Sequence, residues 1–193
     1  MIRRGCAWLL LISGFVPTAA PQDASSHAES LKVESGPGPH NFDLDAASGG
    51  YEERYLEVPV GGFTVKGFIQ FVTVRTDRKW APMGAIEAIG PHESFYAGLI
   101  AFVRSNAPDK IEFAVRDERL RGLPDASFGR VLLTDQAIPF ELRLDRSGVL
   151  QASVAGKPGR TVSIRPYDIA RVRLLGSTGH VRFLNVYVAA SDK

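Results

Sequence analysis

The 193-residue sequence predicts an all-β fold, two antiparallel sheets stacked as a sandwich. Three observations carry this expectation. Apolar and polar residues alternate through Ile138 to Gly156 and again through Ala170 to Ala190, the period of strands with one face in a core. The breaks between such runs are short and turn-like. Several other runs, among them Phe63 to Val74 and Ala85 to Val103, are apolar on both sides in places, which two stacked sheets explain better than one solvated sheet.

The N-terminus reads as a secretory leader. Met1-Ile-Arg-Arg is basic, Cys6 to Val16 is apolar, and Thr18-Ala19-Ala20 supplies small residues, so cleavage is expected after Ala20. The apolar run is broken by Ser13 and Gly14 and is about half the ~20 residues of a bilayer crossing. Cys6 lies too far before the small residues to suit a lipid anchor. Loss of residues 1–20 would remove Arg3, Arg4 and the only cysteine, leaving 21 basic residues against 21 acidic ones. A neutral domain gives no electrostatic case for nucleic acid or an anionic membrane, and its stability rests on its core without disulfides. The expected address is the periplasm or the exterior.

Residues 21–50 are rich in Ser, Ala, Gly, Pro and Asp and read as a flexible tail, with an edge strand conceivable over Asn41 to Leu44. One sandwich domain is expected over 51–193. Strand signals place elements near 53–60, 62–76, 82–90, 94–104, 109–117, 128–134, 138–145, 149–155, 160–165, 169–176 and 180–190. A short helical turn fits Asp117 to Leu123. Phe140, Leu142 and Leu144 should face the core, with Glu141, Arg143 and Asp145 outward. Asp145-Arg-Ser-Gly148 reads as a hairpin turn in which Gly148 takes a positive φ. Gly176-Ser-Thr-Gly179 reads as another turn. Val181 to Val188, apolar on both sides, should lie centrally in its sheet.

The run IPFELRLDRSGVLQASVAGKPG followed by IARVRLLGSTGHVRFLNVYV resembles the C-terminal half of the concanavalin A-like jelly rolls. In that superfamily a hairpin around Asp-x-x-Gly precedes an x-Gly-Ser-x-Gly segment and a final strand with an internal Asn or Asp, here Asn185. The resemblance covers about residues 50–190 and implies a jelly roll. Lectins, laminin-G-like modules, glycosidases and polysaccharide lyases share that architecture, so it leaves function open.

Constellations of catalytic type are sparse. Glycosidases on this scaffold carry several acids alternating on one strand; no such run occurs, and Glu87 stands alone among apolar neighbours. Glu112 and Glu141 read as partners of Arg116 or Arg143 across strands. His27, His40, His92 and His180 lack the spacing of a transition-metal site. No cofactor is expected; calcium stays open through Asp43, Asp45 and Asn185 should the terminal strands pair. Ser177 and His180 lie close in sequence but without a nucleophile motif.

The outward side chains point to binding. Arg104, Glu112, Arg116, Glu141, Arg143, Arg171 and Arg173 fall on polar positions of successive strands, with Trp80 and Tyr96 as aromatic platforms. Sugar sites combine such rings with guanidinium and carboxylate hydrogen bonders. The binding set is therefore Trp80, Tyr96, Arg104, Glu112, Arg116, Glu141 and Arg143, and the expected partner is a glycan. Two other readings remain: an enzyme on the same scaffold with Glu87, Glu112 and Glu141 converging in one cleft, and an envelope module that binds protein through an exposed apolar patch.

Overall fold

A computed structural model describes residues 33–34, 38–119, 126–169 and 171–191, all in the unit Leu31–Lys193. The expected leader lies outside these residues, as does most of the expected helical turn after Asp117.

Among the described residues eleven strands follow one another: β1 (Val33–Glu34), β2 (His40–Glu57), β3 (Phe63–Val74), β4 (Met83–Ile89), β5 (Tyr96–Arg104), β6 (Ala107–Asp117), β7 (Ala126–Leu132), β8 (Ile138–Leu144), β9 (Val149–Val154), β10 (Lys157–Ser163) and β11 (Arg171–Ala190). Two single 3-10 turns, Pro91–Glu93 and Pro166–Asp168, are the helical elements among the described residues. None is long and apolar enough to cross a membrane.

The architecture turns on one ribbon. β2 and β11 pair antiparallel along nearly their whole length. On its other edge β11 pairs with β4 over Arg171–Ser177, then with β3 over Gly179–Ala190. The first half of β11 thus belongs to a sheet ordered β2-β11-β4-β5-β6-β7, and the second half to a sheet ordered β2-β11-β3-β8-β9-β10. Among the described residues every strand pair but β1–β2 is antiparallel. The two layers enclose one core in which Phe63, Ile69, Leu142 and Phe183 of the second sheet join Ile86, Leu99, Ile111 and Phe113 of the first. This is the two-sheet antiparallel jelly-roll sandwich that the alternation predicts.

Two expectations about elements are corrected. The tail does not extend to residue 50. β2 starts at His40, takes in the edge strand expected over Asn41 to Leu44, and runs on through the expected boundary, because Phe42, Leu44 and Ala46 alternate into the core. Their signal is diluted by the Ser, Gly and Asp around them. Second, Gly176 to Gly179 is not a turn between two strands. Ser177 and Thr178 are buried inside one 20-residue strand, and the Ser177 hydroxyl donates to the Gly50 carbonyl at 3.1 Å. Thr178 adopts a positive φ of 50° at a register shift, so the strand bulges from one sheet into the other without reversing. A second bulge follows at Asn185, whose N–H donates to the Asn41 side chain at 2.8 Å.

Other expectations stand. Phe140, Leu142 and Leu144 are buried, β11 is central, and Gly148 has φ +89°.

Candidate functional site

The outer face of the first sheet carries the densest polar chemistry. The register arranges its side chains in rows that cross the strands. One row holds Tyr51, Ser177, Met83, Phe102, Glu112 and Arg130. The next holds Glu53, Leu175, Ala85, Ile100 and Ala114, whose apolar members are buried beneath their longer neighbours. A third holds Tyr55, Arg173, Glu87, Gly98 and Arg116, and a fourth Glu57, Arg171, Ile89 and Tyr96.

The third and fourth rows form a single network. Glu87 is 0 % exposed. Its Oε2 accepts from Arg173 Nη2 at 2.7 Å and Nε at 3.2 Å, while Arg116 Nη1 approaches Oε1 at 3.6 Å. Oε1 itself has no hydrogen-bond partner among the described residues. Arg173 also reaches Glu53 at 3.4 Å and stacks 4.0 Å over the Tyr96 ring. Arg171 stacks 4.4 Å over Tyr55 and donates to Glu93 at 2.8 Å. The Tyr55 hydroxyl donates to Glu53 at 2.9 Å, and that of Tyr96 reaches Glu93 at 3.4 Å. Pro91–Glu93 places Glu93 here through two left-handed residues, His92 and Glu93.

Charge on this face is balanced and fixed. Burial opposes the charge of Arg173, yet Glu87 and Glu53 hold its pKa above the ordinary value. Burial raises the Tyr55 phenol, and its hydrogen bond to Glu53 raises it further; burial also raises Tyr96. Both phenols stay protonated at neutral pH and are poor proton acceptors there. The network is a set of oriented donors, acceptors and ring faces.

A second cluster lies at the far side of the same face. Glu112 accepts from Arg104 Nε at 2.8 Å and Nη2 at 3.0 Å, and from Arg130 at 3.1 Å, and Arg104 lies 5.0 Å over Phe102. Hydrogen bonding from Arg104 pulls Glu112 down to about 2 from 4.5, against the opposing effect of burial. A carboxyl depressed in the folded state stabilises it fully above pH 4.5 and ceases to do so as pH falls through about 2. Glu112→Gln should therefore melt below wild type at pH 6, with the gap closing between pH 4.5 and 2. A gap independent of pH in thermal melts would reject the assignment.

The predicted binding residues divide between the sheets. Tyr96, Arg104, Glu112 and Arg116 share the outer face of the first sheet. Glu141 and Arg143 lie on β8 in the second, where Glu141 pairs with Lys66 at 3.2 Å. The expected pairing of Glu112 or Glu141 with Arg116 or Arg143 is thus corrected, because cross-strand register sets Lys66 opposite Glu141 and Arg130 opposite Glu112. For the same reason Glu87, Glu112 and Glu141 do not converge. Trp80 is 55 % exposed in the loop between β3 and β4. Ser48 of β2 ties that loop by donating to the Thr76 carbonyl, and within the loop Asp77 receives the N–H groups of Lys79 and Trp80. The terminal strands do pair, but Asp43 is engaged by His180 and Arg182, and Asp45 by Arg75. Among the described residues no three His, Cys, Asp or Glu side chains cluster as a metal site.

Glu53, Tyr55 and Glu93 were missed by the sequence reading, and Arg171 and Arg173 were recognised as outward without being placed in the site. The signal was present in Tyr51-Glu-Glu-Arg-Tyr-Leu-Glu57, where Tyr51, Glu53, Tyr55 and Glu57 alternate along one strand face.

With the geometry established, comparison with known proteins defines the class. The chain shares the jelly-roll fold of the solved structures it matches. An alginate lyase from Pseudomonas aeruginosa matches over 67 % of this chain and 65 % of its own, at 14 % identity and a TM-score of 0.51. The alginate lyase AlyC3, in complex with dimannuronate, matches over 78 % and 73 % at 8 % identity and a TM-score of 0.56. A sialidase matches over 79 % of this chain but 15 % of its own, at 14 % identity and a TM-score of 0.56. No protein-family model and no curated protein sequence matches the chain.

Proposed function

We propose that this protein is an exported, lectin-like module that binds a glycan chain along the outer face of its first sheet without chemistry of its own. The observation that carries the reading is the Tyr55–Arg171–Arg173–Tyr96 network, in which two guanidiniums stack on two phenol rings and are held by Glu53, Glu87 and Glu93. Tyr55 is buried beneath Arg171, so this surface offers a ligand the part-exposed Tyr96 and fixed charged partners for hydroxyls. The balance of charge suits a polyhydroxylated ligand, and the protonated phenols favour binding over proton transfer. Tyr51 and Trp80, exposed at the opposite end of the strands, extend the aromatic surface. The lyases that share the fold support a polysaccharide as the ligand class, and the leader-like N-terminus supports export.

The test is a glycan array of neutral and acidic polysaccharides, repeated with EDTA. Saturable binding is expected, weakened at least tenfold, or about 1.4 kcal/mol, by Arg171→Ala and also reduced by Trp80→Ala. Arg143→Ala, on the other sheet, should change nothing. Absence of binding to every glycan would reject the reading, and shortening of the polysaccharides would replace it with the enzyme reading.

A further inference from the structure

A cavity of about 560 Å³ opens at one end of the sandwich; Pro91, Ser94 and Phe95 of its lining flank Glu93 and Tyr96, but no residue of the sheet-face network lines it. It is built from segments distant in sequence: Pro91, Ser94 and Phe95 before β5, Arg119 after β6, Ser147 and Gly148 at the β8–β9 turn, and Ser163 to Arg165 with Asp168 before β11. Its size falls within the range of small-molecule sites.

The cavity is organised around Arg119. Its Nε and Nη2 donate to Asp117 at 2.8 and 2.9 Å, and Nη2 donates also to the Ser163 carbonyl at 2.8 Å. The guanidinium lies 5.0 Å over the Phe95 ring. Three of its five N–H donors are thus used to hold it, and the two on Nη1 engage no atom among the described residues. Asp117 is buried and does not line the cavity. It stands behind Arg119 as an orienting partner, the arrangement by which a supporting layer fixes a binding group.

The lining itself carries two guanidiniums, Arg119 and Arg165, and one carboxylate, Asp168, which pairs with Arg165 at 2.9 Å. Asp117 behind Arg119 and Asp168 beside Arg165 balance the two guanidiniums, so what the site offers an anion is the pair of Nη1 donors of Arg119 and not a net charge. Three hydroxyls, from Ser94, Ser147 and Ser163, complete the polar wall. Closure of the wall depends on Gly148: the Ile164 N–H donates to the Gly148 carbonyl at 2.8 Å, and a Cβ there would stand 2.3 Å from the Ile164 carbonyl oxygen.

We propose that this end cavity is a second binding site, for a polyhydroxylated ligand bearing one carboxylate. The carboxylate meets the Nη1 donors of Arg119 and the Arg165 guanidinium, and the hydroxyls meet the serines. A free sugar acid and the terminal uronate of a chain share this chemistry. The site stands on its own residues and does not depend on the sheet-face reading.

The full protein, labelled with 15N, would be titrated with D-glucuronate, with glucose and acetate as controls for hydroxyls alone and charge alone. Glucuronate should shift the amides of Ser147, Gly148, Ser163 and Ile164 saturably, while glucose and acetate at equal concentration should not. Arg119→Gln should abolish the response. Arg165→Gln, at a residue exposed enough to spare the fold, should weaken it at least fivefold. A tetrasaccharide ending in glucuronate that binds more tightly than the monosaccharide would assign the site to chain ends; weaker binding would assign it to the free acid. The proposal is overturned if glucuronate moves no cavity amide, if acetate moves them equally, or if Arg165→Gln leaves the affinity unchanged. Shifts confined to Tyr55 and Gly98 would overturn it too, while supporting the sheet-face site.

Discussion

Arg173→Met should cost about 3–5 kcal/mol of folding stability, the usual consequence of leaving a buried charge without its partner. Glu87 is wholly inaccessible, and Arg173 supplies both hydrogen bonds to it. With Arg173 gone, the nearest cation is Arg116 at 3.6 Å, too far for a good hydrogen bond. Methionine keeps much of the side-chain volume, so the loss reports charge more than packing. The double variant Glu87→Gln/Arg173→Met removes both charges and should recover at least about 1 kcal/mol of the single loss, a coupling of the size that contacting residues show. Urea unfolding of the four proteins decides it. A single-variant loss below about 1 kcal/mol, the range of exposed pairs, would mean that water reaches Glu87.

Gly98→Ala should be nearly as damaging, by about 3 kcal/mol. Gly98 sits between Glu87 and Arg116 in the third row. A Cβ there would stand 2.1 Å from the Ile86 carbonyl oxygen and 2.8 Å from the Glu87 Cα. Both are backbone atoms of the paired strand, so no rotamer change relieves the clash; β4 and β5 must separate. Gly129→Ala in β7 is the matched control. Its Cβ would meet only a Phe113 ring atom at 3.9 Å, an ordinary contact. Its effect should be near zero or slightly stabilising through the unfolded chain, by about 0.5 kcal/mol. Equal losses at the two glycines would show that strand propensity, not the close approach, governs Gly98. If Gly98→Ala folds at all, its glycan affinity should fall as well, because the Arg173–Glu87–Arg116 row spans that contact.

Strand positions and core faces were legible in the alternation itself. Phe140, Leu142 and Leu144 point inward because a strand's side chains alternate by geometry, whatever the strand pairs with. The turn at Asp145 to Gly148 was legible because Gly148 supplies a backbone conformation that other residues avoid. Composition was a poorer guide. Ser, Gly and Asp around Phe42, Leu44 and Ala46 suggested a tail, yet three alternating apolar residues are enough to dock a strand once β11 supplies a partner along its whole length.

Local chemistry alone determined the class of fold, the inward faces and the outward row of arginines. Tertiary structure decided which outward residues meet. Arg104 and Arg143 are equally polar positions in sequence, but one belongs to the first sheet and the other to the second. It also decided that Gly176 to Gly179 bulges without reversing, so that one strand serves both layers. Arg173 lies 86 residues from Glu87 and 120 from Glu53, and the end cavity draws on segments that span nearly 80 residues. Side-chain alternation is a property of each strand by itself, whereas these meetings depend on pairing order and register, which no short stretch of sequence encodes.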